Sequence, residues 1–376
     1  MKLRQSFVLG AAFAAGIFGL GAVGCGDDSA ATGAGGSGTG GSSSQTEGAG
    51  AGDVVLATPP ERPAGAPAGD GDGAFLGISK LYLGDTDRSG AASTTAWQKY
   101  GYDLDGQATV DGNDEGGTFD GNDLANHCTP VGGEVNAGNV EDGPGGVDNS
   151  FGKNILSFLS SILEDPSELA SQAIEEGSFT IALNMSTLGT GSEYDPIPTN
   201  LYAGIGGEDG EWEYVNALLV GGDTENPVIS FPFAYVVDNT WVSGEPQLIT
   251  LNLSLSGIDL ALDIENAVIS VKLNGDRNGG TEGVISGVLD TESFVQELGE
   301  VASSVAGDTE GLCPGDQLFE SIVQNIRSAS DLLKDGSNKA GVNCDGISIA
   351  IGFDMNTVVF GEVAPDPEPG EPSNCE

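Results

Sequence analysis

Positive charge is the scarcest commodity in this chain: Lys and Arg together number 12 against 57 Asp and Glu, for a formal net charge of −45 over 376 residues. Nucleic-acid binding needs a basic face that displaces counterions from phosphate, and docking on anionic headgroups needs clustered Lys or Arg. Both are excluded. Histidine occurs once, at His127, which leaves no His-x-x-x-His zinc site. A Ser-His-Asp triad would have to use His127 as its base, yet it adjoins Cys128 in a Gly/Asn-rich stretch and reads as a surface or loop histidine. There is no Gly-x-Ser-x-Gly elbow, no Gly-x-x-x-x-Gly-Lys phosphate loop and no Cys-x-x-Cys pair. What is abundant is glycine, with 61 residues, and 17 prolines, so much of the backbone is turn or tether and a helical bundle is disfavoured.

The first residues carry an export signal. Lys2 and Arg4 precede an uncharged apolar run from Phe7 to Val23 that ends in small residues, which reads as a signal peptide over 1–24. That run has 17 residues where a membrane-spanning helix needs roughly 20. Its ending, Ala22-Val23-Gly24-Cys25, resembles the lipobox of bacterial lipoproteins, which implies a lipid on Cys25 and a membrane partner through that anchor. Cleavage after Gly24 without lipid is the rival reading. Cysteine parity favours the lipid, because Cys128, Cys313, Cys344 and Cys375 then pair completely in an oxidising compartment. Of the three connectivities, Cys313 with Cys344 is preferred because they bracket one helical segment, leaving Cys128 with Cys375.

Composition divides the rest. Residues 25–73 are the anchor site and a Gly/Ser/Pro-rich tether that cannot bury enough apolar surface to offset backbone entropy, and 364–376 are a Pro/acid-rich tail. The globular part is 74–363, with an acidic-loop and helix portion (74–177) and a β-rich portion (178–363). Apolar residues at three- and four-residue spacing predict helices from Phe151 to Leu163, from Pro166 to Gly177, from Thr291 to Val305 and from Asp316 to Leu333, the last capped by Asp316. Strands are predicted over Phe75–Leu83, Phe179–Met185, Trp212–Val220, Val228–Val237, Gln247–Leu255, Ile258–Ile264, Ala267–Leu273, Gly283–Leu289, Ile347–Phe353 and Thr357–Val363. Hairpin turns fall at Ser256-Gly257 and Asn274-Gly275. The expected fold is mainly β: an antiparallel β-sandwich-like or α+β domain with a few inserted helices.

Two strings in the acidic portion, Gly101-Tyr102-Asp103-Leu104-Asp105-Gly106 and the run from Asp142 to Leu156 (DGPGGVDNSFGKNIL), resemble those of uncharacterised predicted lipoproteins of myxobacteria. The resemblance implies lipid anchoring in the cell envelope of a Gram-negative bacterium, periplasmic or surface-facing, and no particular chemistry.

Between Lys99 and Lys153 there is no Lys or Arg, while Asp and Glu recur among glycines. Such oxygen-rich loops suit Ca²⁺, which takes six to eight hard ligands in flexible geometry. Asp111, Asn113 and Glu115 occupy positions one, three and five of an EF-type loop with Gly116 at six, but Asn122 stands where the bidentate Glu belongs, and Asp103 and Asp105 form a second element able to share the ion. The competing reading is a solvated loop whose Asp and Gly residues make turns. Glycoside hydrolysis is the enzyme class that survives the inventory, with Glu211 and Glu213 as a carboxylate pair and Trp241 or Tyr235 as a sugar platform. Against it, Glu211 and Glu213 sit one pleat apart on a strand face, and Trp97, Trp212 and Trp241 read as core. The expectation is a cell-envelope lipoprotein with a non-catalytic binding or structural role, structural calcium and a glycan or protein ligand; the alternative is a carbohydrate-active enzyme.

Overall fold

The computed structural model describes residues 57–109, 126–132, 140–160, 164–206, 210–255, 258–305, 313–366 and 375. The export leader, Cys25, the calcium candidates Asp111, Asn113 and Glu115, and the turn at Ser256-Gly257 lie outside the described residues.

The chain is mainly β, built on one large sheet that is antiparallel at all but one pairing. Its strands are β1 (Ala74–Tyr82), β2 (Thr180–Met185), β3 (Thr199–Gly206), β4 (Trp212–Tyr214), β5 (Ile229–Phe231), β6 (Tyr235–Val237), β7 (Thr240–Val242), β8 (Gln247–Leu255), β9 (Ile258–Leu273), β10 (Gly279–Asp290), β11 (Gly346–Thr357) and β12 (Phe360–Val363). They run in the order β12-β4-β3-β2-β1-β11-β10-β9-β7-β6, with β5 joined to β3 and β8 to β9; β12 pairs parallel to β4. The sheet curls back so that its β6 end meets the approach to β3. Tyr194, on the approach to β3, bridges Val236 of β6, and Ile197 N–H bonds to Ala234 O at 2.7 Å. Inside the curl lie Leu76, Leu183, Leu201, Trp241, Ile269 and Ile351, all buried.

β11 shows why this sequence makes such a sheet. Ile347, Ile349, Ile351, Phe353 and Met355 alternate with Ser348, Ala350, Gly352 and Asp354, the period-two pattern of a pleated strand. The large apolar set enters the main core. The other set also sinks below the surface: Ser348 and Ala350 are fully buried. The cover over that second face comes from the described parts of the stretch that the sequence presents as glycine-punctuated acidic loop, residues 84–109 and 140–150.

Helices seal the remaining gaps. A single π-helical turn, Phe151–Ile155, runs into α1 (Leu156–Leu159), and α2 (Pro166–Glu175) starts on a proline that needs no N–H donor there and ends before Gly177. β2 pairs with β1 only as far as Gly77. Farther along, α2 supplies hydroxyls instead: Leu81 N–H donates to Ser171 Oγ and Leu83 N–H to Ser167 Oγ, so a strand edge without a strand partner is still satisfied. α3 (Thr291–Val305) and α4 (Gln317–Ser328) are joined by Arg327, whose Nε and Nη2 each lie 2.7 Å from a Glu292 carboxylate oxygen. Asp316 stands at the α4 N-cap position, but its carboxylate accepts the Cys313 N–H and not a helix amide.

Several expectations change. The stretch Val228–Val237 is two short strands, broken at Pro232, which has no N–H to give. Trp212–Val220 is a strand only to Tyr214. Ile258–Leu273 is continuous. β3 and β7 arise where no strand was expected. The segment from Ala57 to Gly73, expected to be the end of a loose tether, lies along the fold: Ala57 N–H bonds to Gly145 O, Asp195 N–H to Pro67 O, and Gly71 and Gly73 N–H to the carbonyls of Thr187 and Leu188. The disulfides are Cys128–Cys344 and Cys313–Cys375, which replaces the expected Cys313–Cys344 and Cys128–Cys375 pairing. Residues bracketing a helix are held apart by it, here by roughly 18 Å for twelve residues, whereas Thr129 bridges Asn343 in parallel and so sets Cys128 beside Cys344.

Candidate metal centre

The layer over the second face of the sheet is fastened by buried polar groups. Asn149 is its hub. The amide nitrogen donates to Trp97 O and Ala350 O, and the amide oxygen accepts from Gly152 N–H and Ala350 N–H. Ser150 N–H reaches Ser348 Oγ at 2.7 Å, and Tyr102 bonds to Ser286 through its N–H and to Ser270 through its hydroxyl. Small strand residues make this approach feasible: a Cβ on Gly352 would stand 2.6 Å from the Tyr100 ring, and one on Gly101, at φ +119°, would stand 2.7 Å from Ala350 Cβ.

Aspartates converge within this layer. Asp103 and Asp105 sit on one tight turn, where the Asp103 carboxylate accepts Gly106 N–H and the Asp105 carboxylate accepts Gln107 N–H and the Asn338 amide. Asp142 and Asp148 flank the small turn closed by the Gly143–Val147 bridge. Asp142 accepts Thr109 N–H and Asp148 accepts Leu104 N–H, each at 2.6 Å, so the second string is stitched to the first. Asp331 follows α4 and takes the Ser348 N–H and hydroxyl. Thus the segments Gly101–Gly106 and Asp142–Leu156 meet in space at one acidic centre.

Oxygens of Asp103, Asp105 and Asp148 lie within 4.8 Å of one another. Ligands of one Ca²⁺ at 2.3–2.6 Å from it can be at most about 5 Å apart, so these three fit a shared hard cation, each with one oxygen already oriented by a backbone N–H. Their electrostatics ask for a counter-charge. Burial, then the Asp105 charge, pushes Asp103 up to about 7, and burial pushes Asp331 to about 7. Asp142 and Asp148 are raised well above the usual carboxylate range, by burial first and then by the surrounding aspartates. Lys153 is the ammonium whose charge reaches Asp142 and Asp331, and it is bonded to the Glu141 carboxylate and carbonyl. Buried carboxyls in such company must keep their protons or share a cation.

His127 is buried here and not at the surface, with Nδ1 2.8 Å from Cys128 O and burial lowering its pKa, so the ring is neutral. It lies beside Cys128 and Cys344, but both sulfurs are spent in a disulfide and offer no thiolate to zinc.

Of the calcium candidates, Asp103 and Asp105 are brought together. Their new companion, Asp148, is 43 residues beyond Asp105 in the chain and was concealed by that separation. The glycosidase elements fare differently. Trp241 is fully buried with Nε1 bonded to Thr199, and Tyr235 is covered by the Arg62 guanidinium with its hydroxyl on Pro60 O, so neither presents a ring face to a sugar. Glu211 and Glu213 flank the half-buried Trp212 at β4.

Fold and centre together define a class: a disulfide-stapled β domain whose acidic layer closes over one face of its sheet. No protein-family profile, curated protein or solved structure matches the chain.

Proposed function

We propose that this chain is an exported cell-envelope lipoprotein, held to the membrane through Cys25, with a non-catalytic binding or structural role and a structural Ca²⁺ at Asp103, Asp105 and Asp148. The observation that carries the calcium reading is the meeting of the buried Asp148 carboxylate with the half-buried Asp103 and Asp105 from a separate segment. A divalent ion there offsets the cost of burying several acids and fastens the acidic layer to the sheet. The leader, the Ala22–Cys25 lipobox and the even number of remaining cysteines support anchoring. Two paired disulfides suit an oxidising compartment. A surface glycan or a protein is the ligand class this reading calls for, since a charge of −45 repels nucleic acid.

Two experiments test it. EDTA lowers the melting temperature of the purified protein by several degrees and added Ca²⁺ restores it; an unchanged melt removes the ion from the account. Fractionation with intact-mass analysis of wild type and Cys25→Ser tests the anchor. Wild type partitions with membranes and carries acyl mass, the variant does neither, and equal solubility of both forms without acyl mass ends the lipoprotein reading.

A further inference from the structure

The dipeptide Asn-Gly occurs twice, at Asn274-Gly275 and Asn278-Gly279, and both copies fall where β9 passes into β10. Asparagine followed by glycine is open to attack by the backbone on the side-chain amide, because glycine has no Cβ to keep its nitrogen away from the asparagine Cγ. The two copies sit in opposite surroundings. Gly275 is exposed in the turn, its N–H has no acceptor among the described residues, and a Cβ built there would meet nothing within 4 Å. Gly279 is buried in β10 opposite Asn356 of β11, where a Cβ would stand 2.8 Å from Met355 O. Its peptide is also held by Thr357, whose N–H and hydroxyl both donate to Asn278 O.

Three donors converge on the first copy. Arg277 N–H and Nη1 lie 3.2 and 3.1 Å from Asn274 O, the carbonyl oxygen of the peptide whose nitrogen belongs to Gly275. When that nitrogen loses its proton the charge spreads onto this oxygen, so a guanidinium there stabilises the anion. Asn278 N–H lies 3.1 Å from Asn274 Oδ1, the atom that becomes an oxyanion when Cγ is attacked. Arg277 is buried and fixed in turn, with Nε donating to Gly189 O and Nη2 to Gly191 O and Asn239 Oδ1. These donors are in place before any reaction begins.

We infer that Asn274 is a self-modification site, at which the Gly275 nitrogen closes on the Asn274 side chain with the help of Arg277 and Asn278, while Asn278 itself is spared. In the first step the Gly275 nitrogen gives its proton to water and forms a bond to Asn274 Cγ. The bond from Cγ to Nδ2 breaks, and Nδ2 leaves as ammonia with a proton from water. A second water then opens the cyclic imide. Opening at Cγ leaves an aspartate at 274, and opening at the backbone carbonyl leaves an isoaspartyl linkage through the side chain. Either product carries a new negative charge and lacks the amide that donates to Asn278 Oδ1. The isoaspartyl form also lengthens the backbone where Asn274 N–H closes the turn on Gly279 O at 3.0 Å.

The test is incubation of the purified full-length protein in mildly alkaline buffer, with and without urea. Brief digestion with trypsin cuts after Lys272 and Arg277 and so places the two asparagines on different peptides. Mass analysis then follows the gain of about 1 Da that marks an amide turned into an acid. In the folded protein Asn274 is expected to convert about ten-fold or more faster than Asn278, and in urea, where both are plain Asn-Gly pairs, the rates should converge. Equal rates at the two sites in the folded protein, or conversion of Asn274 only in urea, would overturn the inference. Arg277→Gln, with folding checked by circular dichroism and the site read by peptide fragmentation, is expected to slow Asn274 about ten-fold. A folded variant that converts at the wild-type rate counts against the role of Arg277, and the wild-type comparison of the two sites needs no variant.

Discussion

Odd-numbered residues of β11, from Ile347 to Met355, meet other apolar side chains, whereas even-numbered ones, from Ser348 to Asp354, meet a layer of polar loop. Both faces are buried, by opposite means. On the apolar side stability scales with volume and area and is indifferent to pH. On the polar side a small apolar cluster of Tyr82, Ala96, Tyr100 and Ala350 is surrounded by hydrogen bonds between groups that lose water, so for those bonds each partner must be present and each charge answered. A loop-rich segment with little apolar content can therefore be as firmly part of the fold as a helix, provided its polar groups are satisfied.

Substitutions on the two sides should separate these mechanisms. Asn149→Leu removes the hub amide and leaves the buried Gly152 and Ala350 N–H groups unpaired, so urea unfolding should show a loss of about 4 kcal/mol. A loss under about 1 kcal/mol would mean that the layer is not held by this residue. Ile349→Ala, on the opposite face, should cost about 3 kcal/mol through lost burial and the cavity left behind. That loss should be the same at pH 5 and pH 8.

The polar side should respond to pH. Asp103 and Asp331, raised to about 7 in the folded protein, keep protons that the unfolded chain has already released. Bound protons then favour the folded state at low pH, so the stability of the metal-free protein should fall as pH rises from about 4 through about 7. Asp331→Asn should make that slope shallower, as read from urea midpoints at pH 5 and pH 8; a slope unchanged from wild type would refute the assignment. The smallest effect is expected at the surface. Arg327→Ala breaks an exposed ion pair with Glu292 and should cost no more than about 1 kcal/mol, diminishing with salt.

How far the sequence reveals this depends on the side of the sheet. The apolar alternation of β9, β10 and β11, the proline start of α2 and the full length of α3 are legible, because burying one face imposes a period. β3 is not, since Thr199–Gly206 mixes small and polar residues and is buried by its neighbours and not by its own pattern. β7 is three residues long and owes its place to the turn at Asp238 and Asn239, both at positive φ, which returns the chain onto β6. Asp103 and Asp105 can be singled out by their spacing. Asp148 and Asp331 cannot, because what joins them to that pair is long-range hydrogen bonding through Leu104 and Ser348, which leaves no local period. The cysteine pairing fails for the same reason: the Thr129–Asn343 bridge that unites Cys128 and Cys344 is a tertiary event.

The most direct measurement is calorimetric titration of Ca²⁺ into metal-stripped protein at pH 7.5, beside the Asp148→Asn variant. The account predicts one saturable site in the wild type and its loss or marked weakening in a variant that still melts cooperatively. Absence of binding in the wild type, or equal binding in both proteins, would contradict it.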